Sequence, residues 1–440
     1  MMKTIYMILG SLLLISACDN DLEQFPPNIA SANSITDYTG VLNAAYYYQS
    51  GTVTPMGVMG DFRADNALML EAPYTEFDLY GPNLTNMEDQ FFGPFYTALY
   101  KSILSANNVI ENSSNATHVG EAKFLRALSY FKLVQVFGDV TVNLSASPSA
   151  SDVTVLARTA AANVYSNVII PDLEDAILAL DPEIVDGRAS LYAAQGLLGK
   201  VYVHMGNFAS AESHLAAVVN GATAAGIVLE NDFANVVVDG SSEIIFATQI
   251  SSSVPIEYAF ATNFVGWYSG GDTKSLQPLD TDLTAAFDAS SAGGGATDSR
   301  KALTIDEVNQ IGTKYTGGAD QDWIELRLSD VILLYAETLN ENGSATTESV
   351  LDLLDPIRTR AGLTTLDHTV LTTQAAVRQA IHDERRVELA FEGHRWFDLV
   401  RTGTVDAEMG ETINSDYHVF PIPISEVLVT AGIIAQNDGY

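Results

Sequence analysis

Positive charge is scarce in this chain. Of 440 residues only 21 are Lys or Arg, against 55 Asp or Glu, for a formal net charge of −34. Nucleic-acid phosphates need a basic surface, so a nucleic-acid partner is excluded. Attachment to anionic lipid through a basic patch is excluded on the same ground. Cysteine is scarcer still, with Cys18 alone. A disulfide framework within the chain and a cysteine-cluster metal site both fall away. The seven histidines are scattered and never fall at metal-ligand spacing. No H-E-x-x-H, G-x-S-x-G or Walker A sequence occurs. No cofactor is indicated, and a structural calcium ion is neither required nor excluded. Long apolar runs are missing too. The one at Ile5–Ile15 is shorter than the roughly 20 residues a membrane-spanning helix needs. What remains is a chain that is 47% hydrophobic, ample for a large core and long enough for about three units.

The N-terminus says where such a chain works. A short basic start, Met1–Lys3, precedes the apolar run, and Ile15-Ser16-Ala17-Cys18 follows it. This is the layout of a secretory signal. One reading is cleavage near Ala17 with a stray cysteine. The sharper reading is that Ile-Ser-Ala-Cys resembles a bacterial lipobox, in which the thiol of Cys18 is diacylated and the chain is cut before it. Several acyl chains anchor stably, at ~0.8 kcal/mol per buried CH₂. The polar stretch Asp19-Asn20-Asp21-Leu22-Glu23 reads as a solvated tether, and is similar to surface-export signals of Bacteroidetes lipoproteins.

Most of the remaining periodicity is helical. Helices are expected over Tyr38–Gln49, Asp89–Asn112, Glu121–Phe137, Ala160–Leu180 (interrupted at Pro171), Ser190–Met205, Ala209–Val219, Ile324–Asn340, Ser349–Thr359 and Gln374–Phe391. The pair around Gly206-Asn207 carries Leu198-Gly199-Lys200-Val201-Tyr202, the L-G-x-x-Y core of a tetratricopeptide repeat, with Ala211 and Leu215 at the second-helix offsets. Small Gly199 and Ala211 allow close helix approach. Residues 50–88 and 225–320 break the pattern. The first is rich in Gly, Pro, Met and aromatics; the second has long Gly/Ser/Asp stretches and a strand-like run at Glu243–Gln249.

Several stretches now resemble one family. Glu121-Ala122-Lys123-Phe124-Leu125-Arg126-Ala127 leads to Phe137-Gly138-Asp139-Val140, and the stretch from Arg327-Leu328-Ser329-Asp330 to Glu337 is followed by Ile357-Arg358-Thr359-Arg360-Ala361-Gly362-Leu363. The block from Glu384 to Leu399 follows, then Phe420-Pro421-Ile422-Pro423 and the closing Gln436-Asn437-Asp438-Gly439-Tyr440. In this order, behind a lipobox, they resemble the SusD/RagB-like outer-membrane lipoproteins of Bacteroidetes. Thr141 and Asp438 stand where that family usually has proline. The resemblance implies a mainly α fold: a tetratricopeptide-repeat-like scaffold of about four helix pairs with an inserted irregular, partly β ligand-binding subdomain. The expected divisions are a signal peptide (1–17), a tether (18–34), an N-terminal repeat region (35–222), the irregular subdomain (223–320) and a C-terminal region (321–440). The implied job is capture of an oligosaccharide at the cell surface and its delivery to a SusC-like TonB-dependent transporter, without covalent chemistry. Acylated Cys18 would hold the protein in the outer membrane. A peptide- or other nutrient-binding role, and less readily a secreted hydrolase, are the alternatives.

The block at 384–398 has a catalytic look. Glu384, Glu388 and Glu392 are spaced to line one helix face, and His394 is near. Arg385, Arg386, Arg395 and Asp398 argue instead for an ion network, since interleaved arginines keep carboxylates ionised. These seven charged residues are expected to be a structural clamp, not an acid–base site. Ser129-Tyr130-Phe131-Lys132 matches S-x-x-K, but its companion motifs are missing and the serine lies inside a continuous helix. His204 and His214 are expected to be surface or packing residues.

Ligand contact is expected from aromatics in the two irregular regions. Sugars present flat C–H faces to rings, and their hydroxyls need Asp, Asn, Gln or Arg nearby. Tyr74, Phe77, Asp78, Tyr80 and Asn83 supply both kinds in one segment. Asn263, Trp267, Tyr268 and Asp272 do so in the other. Trp267, flanked by glycines, is the expected exposed platform. Arg63 reaches a hydroxyl or pairs with the flanking acids Asp61 and Asp65. For each ring the competing reading is packing inside the subdomain.

Overall fold

The computed structural model describes residues 37–148, 156–185, 187–253, 262–270, 279–292 and 296–440. Cys18, the signal, the tether and Asp272 lie outside them. Thr39–Tyr440 make up one unit of the structure.

Its main helices are α1 (Thr39–Gln49), α2 (Gly93–Asn112), α3 (Ala116–Phe137), α4 (Ile170–Ala179), α5 (Leu191–His204), α6 (Phe208–Gly221), α7 (Thr281–Ala292), α8 (Leu328–Asn342), α9 (Gln374–Glu388) and α10 (Arg395–Thr402). Polar side chains start several of them: Asn115 accepts from the amides of Thr117 and His118, Ser190 from Ala193, Asn207 from Ser210, and Thr373 from Ala376. Each cap satisfies amides that the first turn leaves without partners.

The helices stack in chain order. α1 packs on α2, α2 on α3, α3 on α4, α4 on α5 and α5 on α6; α6 then packs on α8, and α8 on α9. Nearest-neighbour stacking of antiparallel helices is the tetratricopeptide-repeat arrangement. In the α5–α6 pair, Gly199, Ala211 and Leu215 are fully buried. A methyl group added at Gly199 would sit 2.5 Å from the Leu215 side chain.

The long excursion between α6 and α8 returns to the stack through a two-stranded antiparallel ladder. Three such ladders occur among the described residues. They join β1 (Val140–Thr141) to β2 (Arg158–Thr159), β3 (Ile244–Thr248) to β6 (Trp323–Arg327), and β4 (Ile305–Asp306) to β5 (Ile311–Gly312).

Boundaries differ from expectation where tertiary pairing or proline intervenes. Residues 324–327 are strand, not helix, because Ile324 pairs with Ala247 and Trp323 with Thr248. A π turn at Glu88–Phe92 precedes α2. Another at Tyr165–Ile169 precedes α4, whose first turn takes Pro171. The expected helix at 349–359 is two short ones, with Pro356 starting the second. The last long helix stops at Glu388, before Phe391 at φ +64°.

The clamp is a set of buried ion networks. Arg327 reaches Glu243 (2.8 Å), Glu388 (2.7 Å) and Glu392 (2.8 Å). Arg300 reaches Asp298, Glu384 and Glu388, while Lys314, Arg358 and Arg360 complete this group of five cations and five carboxylates. Lys200, Arg385 and Arg401 pair with Asp330, Asp398 and Glu337. Arg386 and Arg395 share Asp65, and Arg395 also holds Glu408. Burial pushes the Glu388 carboxyl up, but Arg360, Arg327 and Arg300 outweigh it and hold the group well below the usual range. Glu392 is likewise held at about 2, against burial, by Arg327 and Lys314.

This clamp meets the start of the fold. Gly60 and Gly393 touch backbone to backbone, so that a methyl group at Gly60 would overlap the Gly393 carbonyl. Gly393 also has φ +74°, a conformation that favours glycine.

Candidate functional site

Most of the expected rings lie in the core. Trp267 is 2% exposed and meets Phe62, Tyr74 and Phe91 edge-on at 6.2, 5.5 and 5.5 Å between ring centroids. It is not an exposed platform. The glycines beside it serve its short helix, Phe264–Ser269, which Gly270 ends in the left-handed conformation. Tyr268 stacks on Phe62 at 5.7 Å and donates to Asp61 Oδ2 at 2.8 Å. Tyr74 and Phe77 are buried with them.

Arg63 is fully buried and cannot reach a ligand. It donates to the Phe77 and Tyr417 carbonyls at 2.7 and 3.0 Å, and its guanidinium lies 4.3 Å from the Tyr80 ring centroid. It pairs with neither Asp61 nor Asp65. Tyr80 is half-buried, stacks on Trp396 at 5.8 Å and donates to the Arg63 carbonyl. Asp78 is half-buried and accepts from the Met69 amide at 3.1 Å. Burial raises its carboxyl to about 7. Asn263 is half-buried, and Asn83 is exposed. The two segments therefore meet, but as a packed aromatic layer with polar residues at its margin.

The block at 384–398 offers no general acid either. Glu384, Glu388 and Glu392 are at most 2% exposed and tied to cations. Burial and Lys200 hold the His394 ring down to about 4, so it is neutral near pH 7. In the S-x-x-K sequence, Ser129 Oγ donates to the Leu125 carbonyl, while Lys132 Nζ is held by Gln49, Thr52 and Glu325. His204 lies edge-on to Phe131, and His214 stacks on Tyr202.

Accessible rings occur elsewhere, in a cleft of about 600 Å³ between α1, β3 and the 320–322 segment. Asn43, Tyr46 and Tyr47 line it from one face of α1, at helical spacing. Tyr46 is oriented on all sides. Its hydroxyl donates to Glu121 and accepts from the Ala189 amide, and the Arg188 guanidinium lies 4.4 Å from its ring centroid. Arg188 in turn holds Glu121 at 2.7 Å and Asn43 Oδ1 at 2.8 Å. The Tyr47 ring is half-buried and pairs with Tyr48 at 5.7 Å.

The opposite wall is polar. Asp320 and Asp322 accept from the amides of Ser252 and Ile250 at 2.6 and 2.7 Å, and Asp239 accepts from Gln321 and the Asp322 amide. Gln249 is exposed beside them. The wall thus offers carboxylate and amide groups fixed by backbone donors, facing rings fixed by a helix. This combination suits an uncharged molecule with flat C–H faces and hydroxyl edges. Sequence reading missed this cleft, although Tyr46-Tyr47-Tyr48 carried a signal. Three consecutive rings on an amphipathic helix point some 100° apart, so they cannot all face one core.

Comparison with known proteins agrees with the architecture. Residues 299–417 match the family model described as SusD family, and residues 17–203 match "Starch-binding associating with outer membrane". SusD-like protein P2 of Formosa agariphila is 25% identical over 98% of both chains. A SusD superfamily protein from Parabacteroides distasonis superposes with TM-score 0.76 at 21% identity, covering 94% of this chain and 100% of its own. A laminarin-binding SusD-like protein superposes with TM-score 0.72 at 23% identity, covering 92% and 99%. At such identities the superpositions establish the fold: a mainly helical, tetratricopeptide-repeat-like scaffold. Motif order, family models and fold together place the chain in the SusD/RagB-like family.

Proposed function

We propose that this chain captures oligosaccharide at the cell surface and passes it to a SusC-like TonB-dependent transporter. Acyl chains on Cys18 would anchor it in the outer membrane. The observation that carries the binding step is the cleft in which Tyr46 and Tyr47 face Gln249, Asp320 and Asp322. A structural neighbour that binds laminarin and a family described as starch-binding support the ligand class. Binding would be a matter of shape and hydrogen bonds. Glu388 and Glu392 are buried and held ionised by neighbouring cations, which is unsuited to glycosidic bond cleavage by a protonated acid.

Affinity electrophoresis through gels containing laminarin, starch, xylan or agarose tests this reading. At least one polysaccharide should retard the protein. Tyr47→Ala should then weaken binding about tenfold, corresponding to ~1.4 kcal/mol, the scale of one lost ring contact. Trp267→Ala should lower thermal stability instead. Retardation unchanged by Tyr47→Ala would remove the cleft from the mechanism. Absence of retardation on every glycan would count against carbohydrate capture altogether. Co-purification with the outer-membrane transporter, lost in Cys18→Ser cells, tests the remaining steps.

A further inference from the structure

A second cavity, of about 760 Å³, lies between α7, α9 and α10. We infer that it is a second saccharide site, one that holds an uncharged, hydroxyl-rich ligand without a stacking ring. The inference rests on the glycan reading above and extends it to a site of different chemistry.

The walls are helical and smooth. Ala285, Ala286 and Ala289 of α7 face the groove, as do Ala376 and Ala380 of α9. No Phe, Tyr or Trp is among the residues lining it. Short side chains leave a slot whose sides make only van der Waals contact.

The floor is polar yet electrically balanced. Arg385 and Arg401 are tied to Asp398, and Arg395 is tied to Asp65 and Glu408. An anionic ligand would have to break one of these pairs to find a countercharge, leaving the other charge buried and uncompensated. A neutral ligand leaves them intact.

Unused hydrogen-bonding capacity gathers at the same groove. Arg386 bonds Asp65 through Nη2, and its Nε has no partner. His382 Nε2, one helical turn away, has none either. Asn66 is 1% exposed, and its Oδ1 lacks a donor. All three residues border the cavity. Arg386 and His382 are half-buried at this border. Donors and an acceptor side by side match a hydroxyl group, which both gives and takes a hydrogen bond. Burial keeps the His382 ring neutral near pH 7, so it adds no charge to this floor.

Calorimetric titration of the chain with laminaritriose, maltotriose and xylotriose tests the inference, with trialanine and glucuronate as rival ligands. Ala380→Phe fills the groove from α9, and Ala289→Trp fills it from α7 should the first variant fail a thermal-unfolding check. Two classes of site are expected for a trisaccharide. The filling variant should weaken one at least tenfold, and Tyr47→Ala should weaken the other. His382→Gln, which leaves the groove open, should weaken the groove site at least threefold. A single site abolished by Tyr47→Ala and untouched by either filling variant would overturn the inference while leaving the glycan reading standing. No heat with any trisaccharide would remove both. Trialanine or glucuronate displaced by Ala380→Phe, with saccharides unaffected, would overturn the ligand class.

Discussion

Asp61 ties three distant segments together with one carboxylate. Its Oδ2 accepts from Tyr268 Oη and from the Gly393 amide, each at 2.8 Å, and its Oδ1 accepts from Asn66 at 3.0 Å. Burial is the largest influence on its carboxyl and raises it from 3.8 to about 6, despite these donors. The folded protein therefore keeps this proton at pH values where the unfolded chain has lost it. The resulting stabilisation is complete below pH 3.8 and is lost as pH rises through 6. A shift of this size corresponds to roughly 2–3 kcal/mol. Asp61→Asn should make stability fall less steeply, or rise more steeply, between pH 5 and pH 8 than in the parent. Urea unfolding of both proteins at the two pH values measures the difference. Comparing the two removes the contributions of Asp78, raised in the same direction, and of His394, lowered and so opposite in sign. Equal pH dependence in the two proteins would contradict the assignment. At this scale the sequence was least legible. A tryptophan between glycines looks the same whether it faces solvent or packs against Phe62 and Phe91, some 200 residues earlier. Only the tertiary partners decide, and no local pattern encodes them.

Elements were easier to read. The repeat core around Gly199 falls where its periodicity puts it, because stacking antiparallel helices at close range leaves room for no side chain at that position. Gly199→Ala gains up to ~1 kcal/mol in helix propensity, but its new methyl group meets the Leu215 side chain at 2.5 Å. Overpacking of this kind costs ~1–3 kcal/mol. A net loss of stability is expected, and Gly199→Ala combined with Leu215→Ala should recover less than it loses, since the second change opens a cavity. Thermal melts of the single and double variants decide the matter, and a single variant more stable than the parent would refute the packing account. Strand β6 was misread as the start of α8 because Ile324, Leu326 and Leu328 are apolar under either reading. Pairing with β3 settles the conformation, and β3 lies some 80 residues upstream. The tyrosine cleft was overlooked for a related reason. Binding groups usually sit in irregular segments, whereas Tyr46 and Tyr47 project from a regular helix.

Over the whole molecule, charge is sorted by depth. Ten of the 21 basic residues and ten of the 55 acidic ones are consumed in the three ion networks of the clamp. Those networks are neutral, so eleven basic and 45 acidic residues remain for everything else. Removing one partner from the buried network should be severe. Glu388→Gln leaves Arg300, Arg327 and Arg360 short of countercharge and should cost about 3–5 kcal/mol, seen as a lower urea midpoint. A change below ~1 kcal/mol would mean that the network tolerates an unpaired arginine. The clamp's composition was readable from interleaved Glu and Arg at helical spacing. Its distant members, Glu243, Asp65 and Arg300, were not, because they enter through the fold.

The backbone contact between Gly60 and Gly393 joins residues 333 positions apart, and Asp65 waits for Arg386 and Arg395 over a similar span. A ribosome releases the early partner long before the late one exists. The first segments must therefore remain incompletely assembled until nearly the entire polypeptide has been made. That delay means that C-terminal truncations before Arg395 should yield no native protein rather than a smaller one.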